Sequence, residues 1–171
     1  KQKKIKINKK DLIMCAKFRS GHFEGVLAVI NQFLIKVKPS VMFLGKKDFQ
    51  QIYLIKRFIS GKFKTKIVQC KTIRNKNGLP YSSRNVLLNK KDFQTAVNVS
   101  KIIKKFYSTL KLNFKKTKDI YLIKNKIINK NVKLEYLEIR NKLNLSKKIN
   151  KKNFKIFIAY YINGIRLIDN Y

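Results

Sequence analysis

A strand, a helix and a second strand follow one another in residues 41–70, and this order constrains the fold more than any other feature. Val41–Gly45 is a short apolar run closed by glycine, Lys47–Ser60 has apolar residues at helical spacing, and Lys66–Cys70 is again strand-like. This order and spacing are typical of a βαβ unit, whose two strands are parallel. Because parallel sheets are usually covered on both faces, we expect Val41–Gly45 to be buried on both sides.

The residues before this unit predict one more strand and one more helix. Leu12–Ala16 is an apolar run that fits a short buried strand. His22–Lys36 has its apolar residues at helical spacing, and Pro39 follows as a helix breaker.

A different architecture follows the loop Asn75–Ser83, which contains Asn-Gly, proline and two serines. Asn89–Leu110 predicts a long amphipathic helix with Asn89 as its N-cap. A weakly patterned stretch, residues 111–132, precedes three strand-like segments: Lys133–Ile139, Phe154–Tyr161 and Ile165–Ile168. Asn163-Gly164 between the last two predicts a tight hairpin. We therefore expect an α/β fold, the second half of a parallel-sheet domain followed by a small α+β domain with antiparallel strands.

The charge of the chain leaves open an alternative class, a basic nucleic-acid-binding or ribosome-associated module. The 171 residues include 42 Lys or Arg and 8 Asp or Glu, a formal net charge of +34, and such a surface attracts phosphate backbones. Only six of the cations are arginine, the residue that sequence-specific nucleic-acid-binding proteins use for bidentate contacts. Abundant Lys, Ile, Asn, Phe and Tyr are typical of A/T-rich codons, so we favour coding bias and expect no specific nucleic-acid partner.

The sequence argues against a metal-binding site and against a membrane-spanning segment. Cys15 and Cys70 lie far apart, with no CxxC motif and no histidine at ligand spacing, so we predict two reduced thiols and no metal ligands. No apolar run reaches the roughly 18 residues that a membrane span requires, and no secretory signal pattern is present. We expect a cytoplasmic protein.

The segment that joins the predicted strand Val41–Gly45 to the next helix could bind an anion. Ligands of open parallel sheets lie beyond the carboxyl ends of strands, and helix N-termini favour phosphate. Lys47 could neutralise a phosphate, while Asp48 is either a helix cap or a contact to nucleotide or metal. Gln51 lies one turn after Lys47 and could offer an amide to a second substrate.

Two further polar segments are candidates. Ser82-Ser83-Arg84-Asn85 is either a phosphate clamp or a serine turn that caps the next helix. His22, the only histidine, precedes an apolar helix face, where a structural hydrogen bond is the favoured role.

Five ordered motifs together resemble the pantothenate synthetase (pantoate–β-alanine ligase) family. They are Gly21-His22-Phe23-x-Gly25-Val26, Phe43-Leu44-Gly45-x-Lys47-Asp48-x-Gln50-Gln51, Thr72-Ile73-Arg74, Gly78-Leu79 with Ser82-Ser83-Arg84-Asn85, and Arg166-Leu167-Ile168-Asp169-Asn170. The resemblance covers residues 12–110 well and residues 133–171 moderately. It implies a Rossmann-like, HIGH-type nucleotidyltransferase domain over residues 1–73 and a small α+β domain over residues 74–171.

The resemblance implies an ATP-dependent ligase. The pantoate carboxylate would attack the α-phosphate of ATP to form a pantoyl adenylate and release pyrophosphate. The β-alanine amine would then attack the activated carbonyl to give pantothenate and AMP. Mg²⁺ would accompany the ATP, and the family is a homodimer formed through its N-terminal domain.

The same resemblance assigns roles to individual positions. The expected catalytic residues are Lys47, Ser82, Ser83 and Arg84. The expected ATP contacts are Gly45, Lys46, Lys47, Asp48, Ile73, Tyr81, Ser82, Ser83 and Arg84, and the expected pantoate contacts are Gln51, Val29 and Ile30. Lys46 stands where the family usually has an acidic residue, and we expect its side chain to face outward.

The family's PTMGxLHxGH segment and its second substrate-binding glutamine have no counterpart in these residues. The histidines of that segment bind ATP in the family and stabilise the adenylating transition state. Two explanations are open, a fragment of a longer protein or the product of a decayed or mis-called gene. Because the sequence also begins with Lys1, we favour the fragment, and we expect the chain to be inactive alone.

Overall fold

The computed structural model describes residues 5–171. Residues 1–4, which belong to the predicted domain 1–73, lie outside the described residues. Contacts divide the chain into two compact units, an N-terminal unit, Lys1–Lys71, and a C-terminal unit, Thr72–Tyr171. Within residues 5–171, every helix is too short or too polar to cross a bilayer.

The N-terminal unit contains the predicted βαβ arrangement. Its helices and strands are α1 (Cys15–Phe18), α2 (His22–Val37), β1 (Val41–Gly45), α3 (Phe49–Ile59) and β2 (Lys66–Cys70), with 3₁₀ turns at Lys9–Asp11 and Lys46–Asp48. Strands β1 and β2 are parallel, with Val41 opposite Lys66 and Gly45 opposite Cys70. The prediction of two parallel strands joined by a helix is therefore confirmed.

The core of this unit lies on one face of the strand pair. Leu27 and Leu34 from α2 pack with Ile55 and Ile59 from α3, and Met42, Leu44 and Ile67 of the strands contact this cluster. The opposite face is open, since Val41 is exposed and Phe43 is 68% exposed. The prediction that Val41–Gly45 is buried on both faces is wrong for the described residues, because both helices cover the same face.

The predicted strand Leu12–Ala16 is also wrong. The backbone turns at Met14, which has a positive φ of 47°, and α1 begins at the next residue. A side chain from α3 occupies the hydrogen-bonding position that a strand neighbour would take, because Gln50 Nε2 donates to the Ile13 carbonyl oxygen at 2.7 Å.

The C-terminal unit combines helices with an antiparallel sheet. After a 3₁₀ turn at Ser83–Leu87, its elements are α4 (Lys90–Leu112), a 3₁₀ segment Phe114–Asp119, α5 (Ile120–Ile128), β3 (Lys133–Asn141), β4 (Phe154–Ile162) and β5 (Ile165–Asn170). The strand order is β3-β4-β5, and both neighbouring pairs are antiparallel. An α/β fold with a parallel pair and a separate antiparallel sheet is therefore confirmed.

Local sequence signals account for two boundaries in this unit. The Asn89 side chain caps α4 by accepting from the Asp92 backbone N–H at 2.9 Å, which confirms the predicted N-cap. Asn163 and Gly164 connect β4 to β5 with positive φ values of 45° and 79°, as a tight primed hairpin turn requires.

Helix α4 packs against the sheet through one continuous apolar core. The core members that are at most 1% exposed include Ile103, Leu110, Ile127, Ile156 and Ile158. The weak pattern of residues 111–132 has a structural reason, because Leu112, Tyr121 and Leu122 are apolar but exposed.

Candidate functional site

The first predicted segment lies where β1 ends and α3 begins. Gly45 closes β1, Lys46–Asp48 form a 3₁₀ turn, and α3 starts at Phe49. Lys47 Nζ is 3.8 Å from Asp48 Oδ2, and the two side chains are 20% and 45% exposed. Asp48 makes no side-chain capping bond to α3, so capping is not the role of its carboxylate in this structure. The segment places a largely buried lysine side chain at the carboxyl end of a parallel strand.

Two neighbouring glutamines of α3 have different environments. Gln50 is 6% exposed and ties α3 to the Ile13 carbonyl oxygen at 2.7 Å, while its Oε1 has no hydrogen-bond partner among the described residues. Gln51, the predicted pantoate contact, is half-buried. Gln50 is therefore a packing residue of α3, and Gln51 remains partly accessible.

The two apolar residues of α2 that are predicted to contact pantoate differ in burial. Val29 is 56% exposed, whereas Ile30 packs against the core of the unit. An open cavity of about 900 Å³ in this unit is lined in part by Gly21, Glu24 and Phe58, and the predicted site residues of the unit are not among its described lining.

His22 has a structural environment at the start of α2. Its Nε2 lies 2.7 Å from Arg19 Nη1, and its ring lies 5.0 Å from the Phe23 ring between centroids. These contacts support the structural role predicted for it.

The second predicted segment forms the start of the C-terminal unit. Ser82 Oγ accepts from the Arg84 backbone N–H at 3.3 Å and so caps the 3₁₀ turn Ser83–Leu87. Ser83 and Arg84 are exposed. Ile73 and Tyr81 are 67% and 64% exposed. The C-terminal unit thus presents the side chains of Ser83, Arg84, Ile73 and Tyr81 on its surface, and Ser82 beside them is half-buried.

A compact loop comes directly before this segment. Asn75 Oδ1 accepts from the backbone N–H groups of Asn77 and Leu79, each at 3.0 Å, and Gly78 has a positive φ of 87°. Asn85 Nδ2 donates to the Pro80 carbonyl oxygen at 3.0 Å and so ties the serine segment back to the loop. Asn85 belongs to the sequence motif, but nothing in the neighbouring residues indicated its hydrogen bond to Pro80.

Arg74, at the start of this loop, is held by Asp169 of β5. Burial opposes the charge of the guanidinium, but hydrogen bonding to Asp169 and the charge of that carboxylate raise the pKa of Arg74 above its ordinary value. Burial raises the pKa of the neighbouring Tyr171 phenol, and the charge of Asp169 raises it further. The pKa shifts of Arg74 and Tyr171 both favour the protonated form.

The acidic residues of the described chain do not form a metal cage. Residues 5–171 contain no group of three or more His, Cys, Asp or Glu side chains that could hold a metal ion. Four carboxylates are paired with arginine: Asp11, Glu135, Glu138 and Asp169.

Comparison with known proteins gives one consistent relationship. The family model described as pantoate-beta-alanine ligase matches residues 2–171. Pantothenate synthetase from Francisella tularensis subsp. mediasiatica is 38% identical over 160 residues, which are 93% of this chain and 53% of that protein. The enzyme of Francisella philomiragia gives the same identity and coverage.

Solved structures have the same fold. The pantoate-beta-alanine ligase of Francisella tularensis, complexed with beta-gamma ATP and beta-alanine, superimposes with a TM-score of 0.79 at 34% identity, covering 98% of this chain and 57% of that one. Pantothenate synthetase from Thermus thermophilus gives a TM-score of 0.84 at 22% identity, covering 98% of this chain and 62% of that one. At this identity the similarity supports the fold alone. The chain spans about half the length of the curated relatives it matches. With the family model matched over residues 2–171, the chain belongs to the pantoate–β-alanine ligase family.

Proposed function

We propose that this chain contributes to an ATP-dependent ligase that joins pantoate to β-alanine through a pantoyl adenylate. A carboxylate oxygen of pantoate attacks the α-phosphorus of ATP, and pyrophosphate leaves. The amine of β-alanine then attacks the acyl carbon, loses a proton, and displaces AMP. Family membership supports this reaction, and so does the structure of the Francisella tularensis relative in complex with beta-gamma ATP and beta-alanine.

The observation that carries the proposal most directly is the position of Lys47. It follows β1 at the carboxyl end of the parallel pair, where ligands of such sheets bind, and its side chain is only 20% exposed. A partly desolvated ammonium interacts more strongly with phosphate than one in water does. We therefore assign Lys47 to the charge that develops on the phosphates, with Gly45, Lys46 and Asp48 as further ATP contacts.

The C-terminal unit would supply a second set of nucleotide contacts. Ser82, Ser83 and Arg84 would donate hydrogen bonds to phosphate oxygens, and such donors act without a covalent nucleophile. The exposed side chains of Ile73 and Tyr81 would pack against the nucleotide. We further propose a nucleotide-binding domain over residues 1–73, which by this division includes Ile73, and a small α+β domain over residues 74–171.

Pantoate recognition is assigned to Gln51, Val29 and Ile30. Gln51 is half-buried and carries a neutral amide, which can hydrogen-bond a hydroxyl or carboxylate without adding charge. Val29 offers an exposed apolar surface. We further propose that the protein acts as a homodimer in the cytoplasm and has no specific nucleic-acid partner.

Any Mg²⁺ would arrive with ATP. The described residues have no three-residue cluster of metal ligands, and Asp48 is paired with Lys47 at 3.8 Å. Mg²⁺ commonly takes most of its ligands from phosphates and water, with one or two carboxylates. The donor set fits this mode, in which Asp48, 3.8 Å from Lys47, would be the protein carboxylate.

Replacing Arg84 with alanine tests the proposed function at a single exposed side chain. The gene product with ATP, pantoate and β-alanine should form AMP, pyrophosphate and pantothenate in equal amounts. Arg84→Ala should lower that rate by about 10²-fold, the effect of removing one positioned donor. Lys101→Ala, which removes an exposed cation from α4 of the same unit, should change the rate less than about twofold.

Two outcomes would contradict the proposal. The first is release of ADP in place of AMP, and the second is full activity of Arg84→Ala. Absence of ligase activity together with structure-selective RNA binding would instead support the nucleic-acid alternative. Any chain with a net charge of +34 should bind RNA with an affinity that falls linearly with log salt. Such binding therefore does not support the nucleic-acid alternative.

A further inference from the structure

Two motif residues to which the sequence assigns no role, Arg74 and Asp169, meet in the C-terminal unit. Arg74 belongs to Thr72-Ile73-Arg74, and Asp169 belongs to the last motif, 95 residues further on. Arg74 Nη1 donates to Asp169 Oδ2 at 2.7 Å, and Nη2 donates to Oδ1 at 2.8 Å. This bidentate arrangement matches the fork of the guanidinium and restricts its orientation more than a single contact would.

The same guanidinium has further partners that fix it in three dimensions. Its Nη1 donates to the Gly78 carbonyl oxygen at 2.9 Å, and its Nη2 donates to the Asn170 carbonyl oxygen at 3.2 Å. The guanidinium carbon lies 4.3 Å from the centroid of the Tyr171 ring. Tyr171 Oη in turn donates to the Ser100 carbonyl oxygen of α4 at 3.3 Å. Arg74 is therefore connected to both β5 and α4, the rigid elements of the unit.

The connection continues from Arg74 to the serine segment. Arg74 forms an isolated antiparallel bridge with Pro80, and the Tyr81 backbone N–H donates to the Ile73 carbonyl oxygen at 3.1 Å. Asn85 holds the Pro80 carbonyl oxygen at 3.0 Å. Strand β5 also packs against the 3₁₀ turn Ser83–Leu87.

We propose that Arg74, Asp169 and Tyr171, here named the Arg74 latch, are positioning residues that hold the loop of residues 74–81 and thereby place Ser82, Ser83 and Arg84 for nucleotide binding. The nucleotide part rests on the proposed function, whereas the holding of the loop does not. A preorganised donor set binds phosphate without first ordering a loop, so loosening the latch weakens ATP binding even though no latch residue is assigned a contact to ATP.

A second ion pair in the same unit supplies a matched control. Arg166 of β5 binds Glu135 of β3 with both Nε and Nη2 at 3.2 and 2.5 Å. The side chains are 11% and 8% exposed, comparable to the 24% and 6% of Arg74 and Asp169. This pair joins two strands of the sheet, whereas the Arg74 pair joins the sheet to the loop.

The decisive experiment compares Asp169→Asn with Glu135→Gln in the full chain by hydrogen exchange. The loop is reported by the amides of Asn75 and Tyr81, which bond to the carbonyl oxygens of Leu79 and Ile73, and global opening is reported by β4 amides. In Asp169→Asn, loop exchange relative to β4 exchange should rise about tenfold, because local opening becomes easier. In Glu135→Gln, the ratio should stay within about twofold of the wild type, even if both sets of amides exchange faster.

A milder variant keeps the test decisive if Asp169→Asn does not fold. Tyr171→Phe removes the phenol that contacts Arg74 at 3.1 Å and Ser100 but keeps the ring, and it should raise the loop-to-β4 ratio about threefold. An unchanged ratio in the folded latch variants would overturn the proposal.

ATP binding by the gene product separates the latch from the proposed function. Asp169→Asn should weaken ATP binding about fivefold to tenfold, and Glu135→Gln should leave it within about twofold. A loosened loop with unchanged ATP affinity would overturn the positioning role. If the wild-type gene product binds no ATP, the proposed function fails, while the exchange ratio still decides whether the latch holds the loop.

Discussion

Replacement of Lys47 with alanine should remove pantoate-dependent exchange of labelled pyrophosphate into ATP almost completely. Lys47 is one of two lysines between β1 and α3, and its side chain is 20% exposed. Electrostatic contacts to the charge that develops in a transition state are each worth about 10²–10³ in rate. We therefore expect the exchange rate of the gene product to fall by about that factor.

Two comparisons isolate the charge at this position. Lys56→Ala removes an exposed cation from the last turn of the same helix, and it should change the exchange rate less than about twofold. Because the Lys47 side chain is only 20% exposed, the thermal midpoint of Lys47→Ala should be measured beside the exchange rate, so that loss of the charge is separated from loss of the fold. Unchanged exchange in Lys47→Ala would exclude Lys47 from the site.

The largest effect on stability is expected for Ile103→Ala in α4. Ile103 is 0% exposed and belongs to the core that joins α4 to the sheet. Truncation of a fully buried isoleucine removes apolar contacts and leaves a cavity, which costs about 2–5 kcal/mol. The free energy of unfolding of the C-terminal unit, measured from hydrogen exchange of β4 amides, should fall by this amount.

Leu112→Ala in the same helix is the control for this core prediction. Leu112 is an isomer of isoleucine that is 83% exposed, so its truncation should alter the free energy of unfolding by no more than about 0.5 kcal/mol. A cost below about 1 kcal/mol for Ile103→Ala would mean that α4 does not pack on the sheet as described.

Elements whose signals lie in neighbouring residues could be predicted from the sequence. Strand β2 has the predicted bounds, Lys66–Cys70, and Asn89 caps α4 because an Asn side chain satisfies an N-terminal N–H of the helix that follows it. The hairpin at Asn163-Gly164 depends only on two residues that tolerate positive φ. In each case the determining contact lies within a few residues of the signal.

Elements that depend on distant residues could not be predicted in this way. Leu12–Ala16 has the composition of a strand, yet Gln50, 37 residues beyond Ile13, takes the carbonyl oxygen that a strand would use. Burial of Phe43 depended on which elements cover each face of the strand pair, and its side chain is 68% exposed. A pattern of apolar residues does not contain this information.

The residues of the candidate site also differ in whether neighbouring residues of the sequence indicate them. Lys47, Ser82 and Arg84 could be proposed from short motifs, because a glycine-terminated strand and a serine turn are local features. The pairing of Arg74 with Asp169 joins residues 95 apart, and neither residue carries a local sign of the other. Positioning residues of this kind become visible only when the packed unit is known.

The fate of a pantoate carboxylate oxygen tests the central claim most directly. The gene product should be supplied with ATP, β-alanine and pantoate labelled with ¹⁸O in its carboxylate, and the products should be analysed by mass spectrometry. If the carboxylate attacks the α-phosphorus and AMP is later displaced from the acyl carbon, the bridging oxygen remains with phosphorus. The account predicts one ¹⁸O atom in each AMP and none in pyrophosphate. Unlabelled AMP, or label in inorganic phosphate released together with ADP, would contradict it.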